Sequence, residues 1–226
     1  MKIQQKKTAT FLGLFIALGA PFLLDWLLGK RPEDLAIPWR VILSIAEEWI
    51  LAIVIICIVL FWERQPLSSI GIKKMAGRDW LWGILGFFAG ALVFVLTTPI
   101  IVALGLKTTS AGIGQLAQVP IILRLGVVLT AGITEEILFR GYPIERIYAL
   151  TGRFGLSVAI AYIVFVLLHI PFWGLGGTIQ IGVWSLLVTL LYVKRRNLPA
   201  CMLMHLLNDA YAFILLPTLF AQYLPQ

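Results

Sequence analysis

Apolar runs of about 20 residues recur along this chain, and they restrict the folds that it can adopt. As helices, runs of this length cross a hydrocarbon core of roughly 30 Å. The chain is 60% hydrophobic and 13% charged, whereas soluble domains are about half apolar and a quarter charged. We therefore predict an all-α bundle that is polytopic in the membrane, with about seven or eight transmembrane helices.

Seven spans are expected, separated by short polar or basic loops. They cover residues 8–28, 41–61, 80–104, 121–139, 154–170, 178–193 and 198–216. We interpret residues 105–120 as a loop or interfacial segment and residues 141–153 as a short amphipathic piece. Since no repeat or linker divides the sequence, we expect a single membrane domain over residues 1–226.

The basic residues indicate an orientation. With a cytoplasmic N-terminus and alternating spans, 13 of the 18 Lys and Arg residues lie on the cytoplasmic side, as the positive-inside rule requires. The net charge of +7 is therefore interpreted as an orientation signal. We expect a multi-pass protein of the cell membrane, in contact with the lipid bilayer and with no nucleic-acid partner.

Two adjacent carboxylates and an arginine interrupt the apolar pattern at the end of the fourth expected span. Charges at membrane depth cost on the order of 2.5–3.5 kcal/mol each, and they are usually functional. Glu136 and Arg140 are spaced i, i+4, so they can form a pair. Glu135 points about 100° away and is a candidate general base. In the alternative interpretation, Arg140 and Thr134 hold both acids, which then only lock helices together.

The only two histidines of the chain also lie in apolar runs. Phe165 and His169 share one helix face, as do His205 and Asp209, with Asn208 beside them. Taken singly, each histidine could be a core residue or a helix-packing hydrogen bond. Taken together, they predict that three helices contribute polar groups to one interior site.

Several motifs of other enzymes are missing from the sequence. It contains no HExxH motif of zincin metalloproteases, no GxSxG motif of serine hydrolases and no nucleotide-binding P-loop. A second acid pair, Glu47-Glu48, has no arginine four or five residues later and no histidine near it in sequence. We interpret this pair as interfacial.

Three motifs carry a resemblance to a known family. Glu135-Glu136-Ile137-Leu138-Phe139-Arg140 fits EExxxR, Phe165 to His169 fits FxxxH, and His205 to Asp209 fits HxxxB, where B is Asn or Asp. In order and spacing the chain resembles the CPBP intramembrane proteases, which comprise type II CAAX prenyl endopeptidases and bacterial Abi-type, bacteriocin-processing and self-immunity proteins. The resemblance covers a catalytic core over residues 126–211. It implies an endopeptidase that acts on a membrane-associated or prenylated peptide or membrane-protein substrate.

The resemblance also implies roles for single residues. Glu135 would activate the attacking water with help from His169, while His205 and Asp209 would stabilise the oxyanion or help to hold a metal. The residues with supporting roles would be Glu136, Arg140, Phe165 and Asn208. Asp209 stands where Asn is common in prenyl-protein proteases, and an ionised aspartate cannot donate a hydrogen bond. Whether Asp209 or Asn208 carries the role of the third motif therefore stays open.

A zinc ion is compatible with the resemblance. Catalytic zinc commonly has three protein ligands and one water, and here the ligands would be Glu135, His169 and His205. A glutamate that binds zinc cannot easily also be the general base. Zinc-dependent and metal-free hydrolysis are therefore competing hypotheses.

The expected spans place two of these residues at different depths. Glu135 would lie near the cytoplasmic end of its span, while His169 would lie roughly 24 Å below the same surface. Upright helices would keep them apart. Either residues 141–153 fold partly back into the protein, or the helices tilt strongly.

Two other classes of function remain open from the sequence. The same polar cluster could bind a partner in a non-catalytic membrane immunity or binding protein. It could also relay protons in a small transporter, although no inverted repeat is visible.

Overall fold

The computed structural model describes residues 2–28, 36–220 and 222. These residues form helices, turns and loops without any strand, which confirms the all-α prediction. The α-helices are α1 (Lys2–Leu14), α2 (Ala20–Leu28), α3 (Ile37–Cys57), α4 (Gly77–Ala103), α5 (Ser110–Ala117), α6 (Ile121–Thr130), α7 (Tyr142–Thr151), α8 (Phe154–Leu168), α9 (Ile170–Arg195), α10 (Leu198–Ala210) and α11 (Leu216–Leu219).

Short π-helical segments join or extend several of these helices. They comprise Phe15–Gly19, Ile58–Trp62, Ala131–Glu135, Ile137–Gly141 and Tyr211–Leu215, and a 3₁₀ turn lies at Leu67–Ile70. Through two of them, α6 and α7 form one continuous helical stretch over residues 121–151. Such π-turns are rare and frequently lie at functional sites. Here two of them flank the single residue Glu136.

Five described helical segments are long and apolar enough to cross a membrane, which agrees with a multi-pass protein. They are Lys7–Leu24, Ile37–Trp62, Gly77–Ala103, Ile170–Arg195 and Leu198–Leu219. The fourth and fifth expected spans correspond to the continuous stretch 121–151 and to the shorter helix α8. The sixth begins earlier than expected, because α9 continues through a kink at Gly174, where φ is 64°.

Helix α10 packs against several other parts of the bundle. It packs against α4, α9 and the π-turn Ala131–Glu135, while α4 also packs on α9 and α3 packs on α6. Gly83 of α4 lies so close to α10 that a Cβ atom there would be 3.0 Å from the carbonyl oxygen of Ala200. Small residues at membrane helix interfaces permit this close approach.

Helices α7 and α8 form a hairpin that brings two of the motifs to one level. The turn is at Gly152, whose φ of 69° is in the left-handed region that favours glycine. Gly152 lies 17 residues after Glu135 and 17 residues before His169. Because α7 and α8 pack along each other, both residues lie roughly 25 Å from the turn. The expected difference in depth is therefore wrong, since the helix continues beyond residue 139 for about three more turns.

Buried polar contacts fix α7 in this position. Arg146 forms an ion pair with Glu63 at 2.7 Å, and the Tyr142 hydroxyl donates to the same carboxylate at 3.0 Å. On another side of the helix, Glu145 pairs with Arg196. These contacts hold α7 to the segment after α3 and to the end of α9, so the hairpin has little freedom to swing away.

We predict that Gly141→Ala destabilises the protein. A Cβ atom at Gly141 would lie 2.6 Å from the carbonyl oxygen of Ile70, and a backbone atom cannot move aside as a side chain can. We expect a loss of about 1–3 kcal/mol, measured as a lower midpoint of thermal unfolding in detergent. Gly155→Ala is the matched control, because its Cβ would meet no atom within 4 Å. Equal unfolding midpoints for the two variants would contradict this packing.

Candidate active site

A buried ion pair forms the base of the candidate site. Nη1 of Arg140 donates to Oε1 of Glu136 at 2.6 Å, as the i, i+4 spacing predicts, and both side chains are almost wholly buried. The Arg140 guanidinium also lies 4.3 Å from the ring centroid of Phe165 in α8, a cation–π distance. The pair therefore ties the helix that carries EExxxR to the helix that carries FxxxH.

The same glutamate orients an imidazole from a third helix. Nδ1 of His205 lies 2.7 Å from Oε1 of Glu136, and the His205 ring packs against the ring of Trp184, with their centroids 4.8 Å apart. A carboxylate that is paired with arginine accepts hydrogen bonds, so Nδ1 of His205 carries the hydrogen and donates it. This contact points Nε2 of His205 away from Glu136.

Two further carboxyl groups lie around Nε2 of His205. Oδ2 of Asp209 is 3.4 Å from it, and Oε2 of Glu135 is 3.9 Å from it. Asn208 lies beside them and donates from Nδ2 to Oδ1 of Asp209 at 3.3 Å. The Glu135 side chain is 17% exposed, compared with 8% for Asp209 and 4% for His205. Glu135 is therefore the most accessible acid of this cluster.

His169 lies at the edge of the cluster. Its Nδ1 is 2.7 Å from the carbonyl oxygen of Phe165, which can only accept, so Nδ1 carries the hydrogen and Nε2 keeps its lone pair. His169 is close enough to His205 and Arg140 to interact with them electrostatically. Both His169 and Glu135 are among the described residues, and no hydrogen bond or ion pair joins them.

One acid that the sequence interpretation set aside also lies close to this cluster. The Thr134 hydroxyl donates to Oε2 of Glu48 at 2.8 Å, and Glu48 lies within electrostatic range of His205 and Asp209. The interpretation of Glu48 as merely interfacial was therefore wrong. No spacing pattern could have revealed this contact, because the two partners are 86 residues apart in the chain.

The side chains that we expected to bind zinc are not arranged as a zinc site in this structure. Within the part of the chain that the structure describes, no group of three or more His, Cys, Asp or Glu side chains is gathered as a metal site. Oε1 of Glu136 is already occupied by Arg140 and His205, and His169 stands apart from Glu135.

Several polar atoms at the base of the site have no hydrogen-bond partner among the described residues. They are Oε2 of Glu136 and both Nε and Nη2 of Arg140, all of them buried. Buried polar groups are usually satisfied by protein or by ordered water. The base of the site therefore has hydrogen-bonding groups that ordered water can satisfy.

The comparisons with known proteins agree with the motifs. Residues 117–211 match the family model described as Rce1-like, type II CAAX prenyl endopeptidase. No curated protein and no solved structure matches the chain. The family match covers the whole candidate site except Glu48, and it confirms the CPBP resemblance of this region.

We predict that Arg140→Leu strongly destabilises the protein, because it leaves the Glu136 carboxylate buried without its cation. Breaking a buried pair costs about 3–5 kcal/mol, which unfolding in detergent would measure. Adding Glu136→Gln to this variant removes the unpaired charge, so the double variant should recover part of the loss. A double variant less stable than Arg140→Leu alone would contradict this account of the pair.

Proposed function

We propose that this membrane protein, whose residues 117–211 match the Rce1-like family model, is an intramembrane endopeptidase that hydrolyses a peptide bond with a water activated by Glu135. The family match supports a protease of the CAAX type. One observation carries the mechanism: the His205 imidazole is oriented by Glu136 and faces the carboxyl groups of Glu135 and Asp209.

Glu135 acts as the general base. Its side chain is partly exposed, it lies beside the imidazole that faces the cluster, and it forms no ion pair with an arginine among the described residues, in contrast to Glu136. In the proposed step, Glu135 takes a proton from water while the water oxygen attacks the substrate carbonyl carbon. The same carboxyl group then returns that proton to the departing amine nitrogen.

His205 stabilises the negative charge that develops on the carbonyl oxygen. The contact between Nδ1 and Glu136 fixes the ring before substrate arrives, and a preorganised donor is effective in a site that excludes bulk water. Nε2 donates to the oxyanion when the imidazole is protonated. Asp209, which is held by Asn208, stabilises that protonated form, and so an aspartate can serve in the third motif without donating a hydrogen bond itself.

His169 has a secondary role in this mechanism. The Phe165 carbonyl fixes its Nδ1, so Nε2 is available to accept a hydrogen bond from the attacking water or from the substrate backbone. Glu136, Arg140 and Phe165 are positioning residues, because they act through His205 and through the packing of α8. We propose that the site opens towards the cytoplasm and accepts a membrane-associated or prenylated peptide.

We predict that Glu135→Gln abolishes proteolysis while the protein stays folded. An amide cannot take the proton from water, and removing a general base costs about 10²–10⁴-fold in rate. The measurement compares protein termini in membranes of cells that carry the wild type, Glu135→Gln or the control Glu47→Gln. Uncleaved precursors should accumulate with Glu135→Gln alone, and His169→Ala should give an intermediate effect.

The same comparison separates the other classes of function. A non-catalytic immunity or binding protein would leave the terminal peptides unchanged, and its protective effect would persist in at least one of the two variants. A proton-coupled transporter would also leave the termini unchanged, but both variants would lose a measurable flux. Either result would overturn the proposal of an endopeptidase.

We also predict that proteolysis survives removal of metal ions. Because Glu135 activates the water and His205 stabilises the oxyanion without a metal in the proposed mechanism, prolonged treatment of the purified protein with a zinc chelator should leave cleavage of a fluorogenic prenylated peptide unchanged. Loss of cleavage that zinc restores would favour the competing hypothesis, in which Glu135, His169 and His205 are ligands.

A further inference from the structure

Helix α3 contributes two consecutive side chains to the helix that carries the catalytic carboxylate. Oε2 of Glu48 accepts from the Thr134 hydroxyl at 2.8 Å, and the Trp49 indole donates from Nε1 to Oγ1 of Thr130 at 2.9 Å. Thr130 and Thr134 are one helical turn apart on α6 and the π-turn that follows it. Both contacts therefore hold α3 against this turn, but only the contact of Glu48 lies next to Glu135.

Thr134 lies in an irregular part of this helix. It directly precedes Glu135 within the π-turn Ala131–Glu135, and such a turn departs from the regular hydrogen-bond ladder of an α-helix. The Thr134 hydroxyl also lies 2.8 Å from the carbonyl oxygen of Thr130. The π-turn is thus stabilised from within by its own chain and from outside by Glu48.

The number of hydrogen bonds that the Thr134 hydroxyl can donate indicates which chemical group is needed at position 48. A hydroxyl has one hydrogen to donate, whereas Thr134 is within reach of two acceptors. When Thr134 donates to the Thr130 carbonyl, the contact with residue 48 is retained only if that side chain donates to Thr134 in return. A protonated carboxyl can do this, and so can an amide. When Thr134 instead donates to residue 48, a carboxylate or an amide oxygen can accept. In both directions the contact requires a hydrogen-bonding group rather than a negative charge.

We propose that Glu48 is a positioning residue of the active site: through the Thr134 hydroxyl it fixes the π-turn and thereby directs the Glu135 carboxyl towards His205. This inference rests on the proposed function, because it assigns Glu48 a part in the same hydrolysis. Glu48 itself touches neither the water nor the substrate in this scheme. Its effect reaches the reaction through the orientation of one neighbouring carboxylate.

Kinetics with a fluorogenic prenylated peptide provide the first test. Glu48→Leu removes the hydrogen bond and should lower kcat about 10–100-fold with KM unchanged, since a small misplacement of a catalytic group is costly. Glu48→Gln should retain most of the activity. Thr134→Val should resemble Glu48→Leu, and the double variant should be no slower than either single variant, because both changes remove the same contact.

Trp49→Phe is the matched control. It removes the neighbouring hydrogen bond to Thr130 between the same helices without touching Thr134, so it should lower thermal stability and leave kcat unchanged. A wild-type kcat in Glu48→Leu would overturn the proposal. An equal loss in Glu48→Gln and Glu48→Leu would also overturn it, because charge would then be the property that matters. A loss of kcat in Trp49→Phe as large as that in Glu48→Leu would also overturn the proposal, because any contact between the two helices would then have the same effect.

A second measurement does not depend on activity. In a background with Cys57→Ala and Cys201→Ala, the alkylation rate of Glu135→Cys by a water-soluble thiol reagent reports how that position is presented. We expect Glu48→Leu to change this rate and Glu48→Gln and Trp49→Phe to leave it unchanged. An unchanged rate in Glu48→Leu would overturn the positioning role. If the wild type cleaves no peptide, the proposed function fails, while alkylation still decides whether Glu48 orients residue 135.

Discussion

The buried pair of Glu136 and Arg140 is the interaction on which the candidate site depends. A single oxygen, Oε1 of Glu136, accepts from both Arg140 and His205, while Arg140 lies over Phe165. Three separate helices thus meet at one ion pair. Since removal of either partner strands a charge at low dielectric, the pair enforces one register among these helices. The positions of the reacting groups follow from that register.

The buried ion pair places the two neighbouring glutamates, Glu135 and Glu136, in different environments. A step of one residue turns a helical side chain by about 100°, so the burial of Glu136 directs Glu135 towards the accessible side. Glu135 ends one π-turn, and Glu136 lies between that turn and the next. Adjacent carboxyl groups in different environments can take separate roles: in the proposed mechanism Glu136 positions His205, and Glu135 transfers the proton.

The sequence predicts those features of the site that depend on local spacing. The pairing of Glu136 with Arg140 and the contact of His205 with Asp209 follow from helical geometry alone, whatever the tertiary fold. The depth of Glu135 could not be predicted from local spacing, because the charged residues of α7 resemble those that follow the end of a membrane span. In the structure those charges are compensated from distant parts of the chain, as when Arg196 contacts Glu145 51 residues away. The contact of Glu48 could not be predicted for the same reason, since its partner Thr134 is 86 residues away in the chain.

Glu135 differs from the other acids of the site in how closely its carboxyl group is paired. An intramembrane carboxyl is costly unless it is paired or hydrogen-bonded, and the other acids of the site have close partners: Glu136 with Arg140, Glu48 with Thr134, and Asp209 with His205 and Asn208. The contact of Glu135 with His205, at 3.9 Å, is longer than any of these. The fold therefore gains little stability from the Glu135 carboxyl, and this agrees with the role of general base that we propose for it.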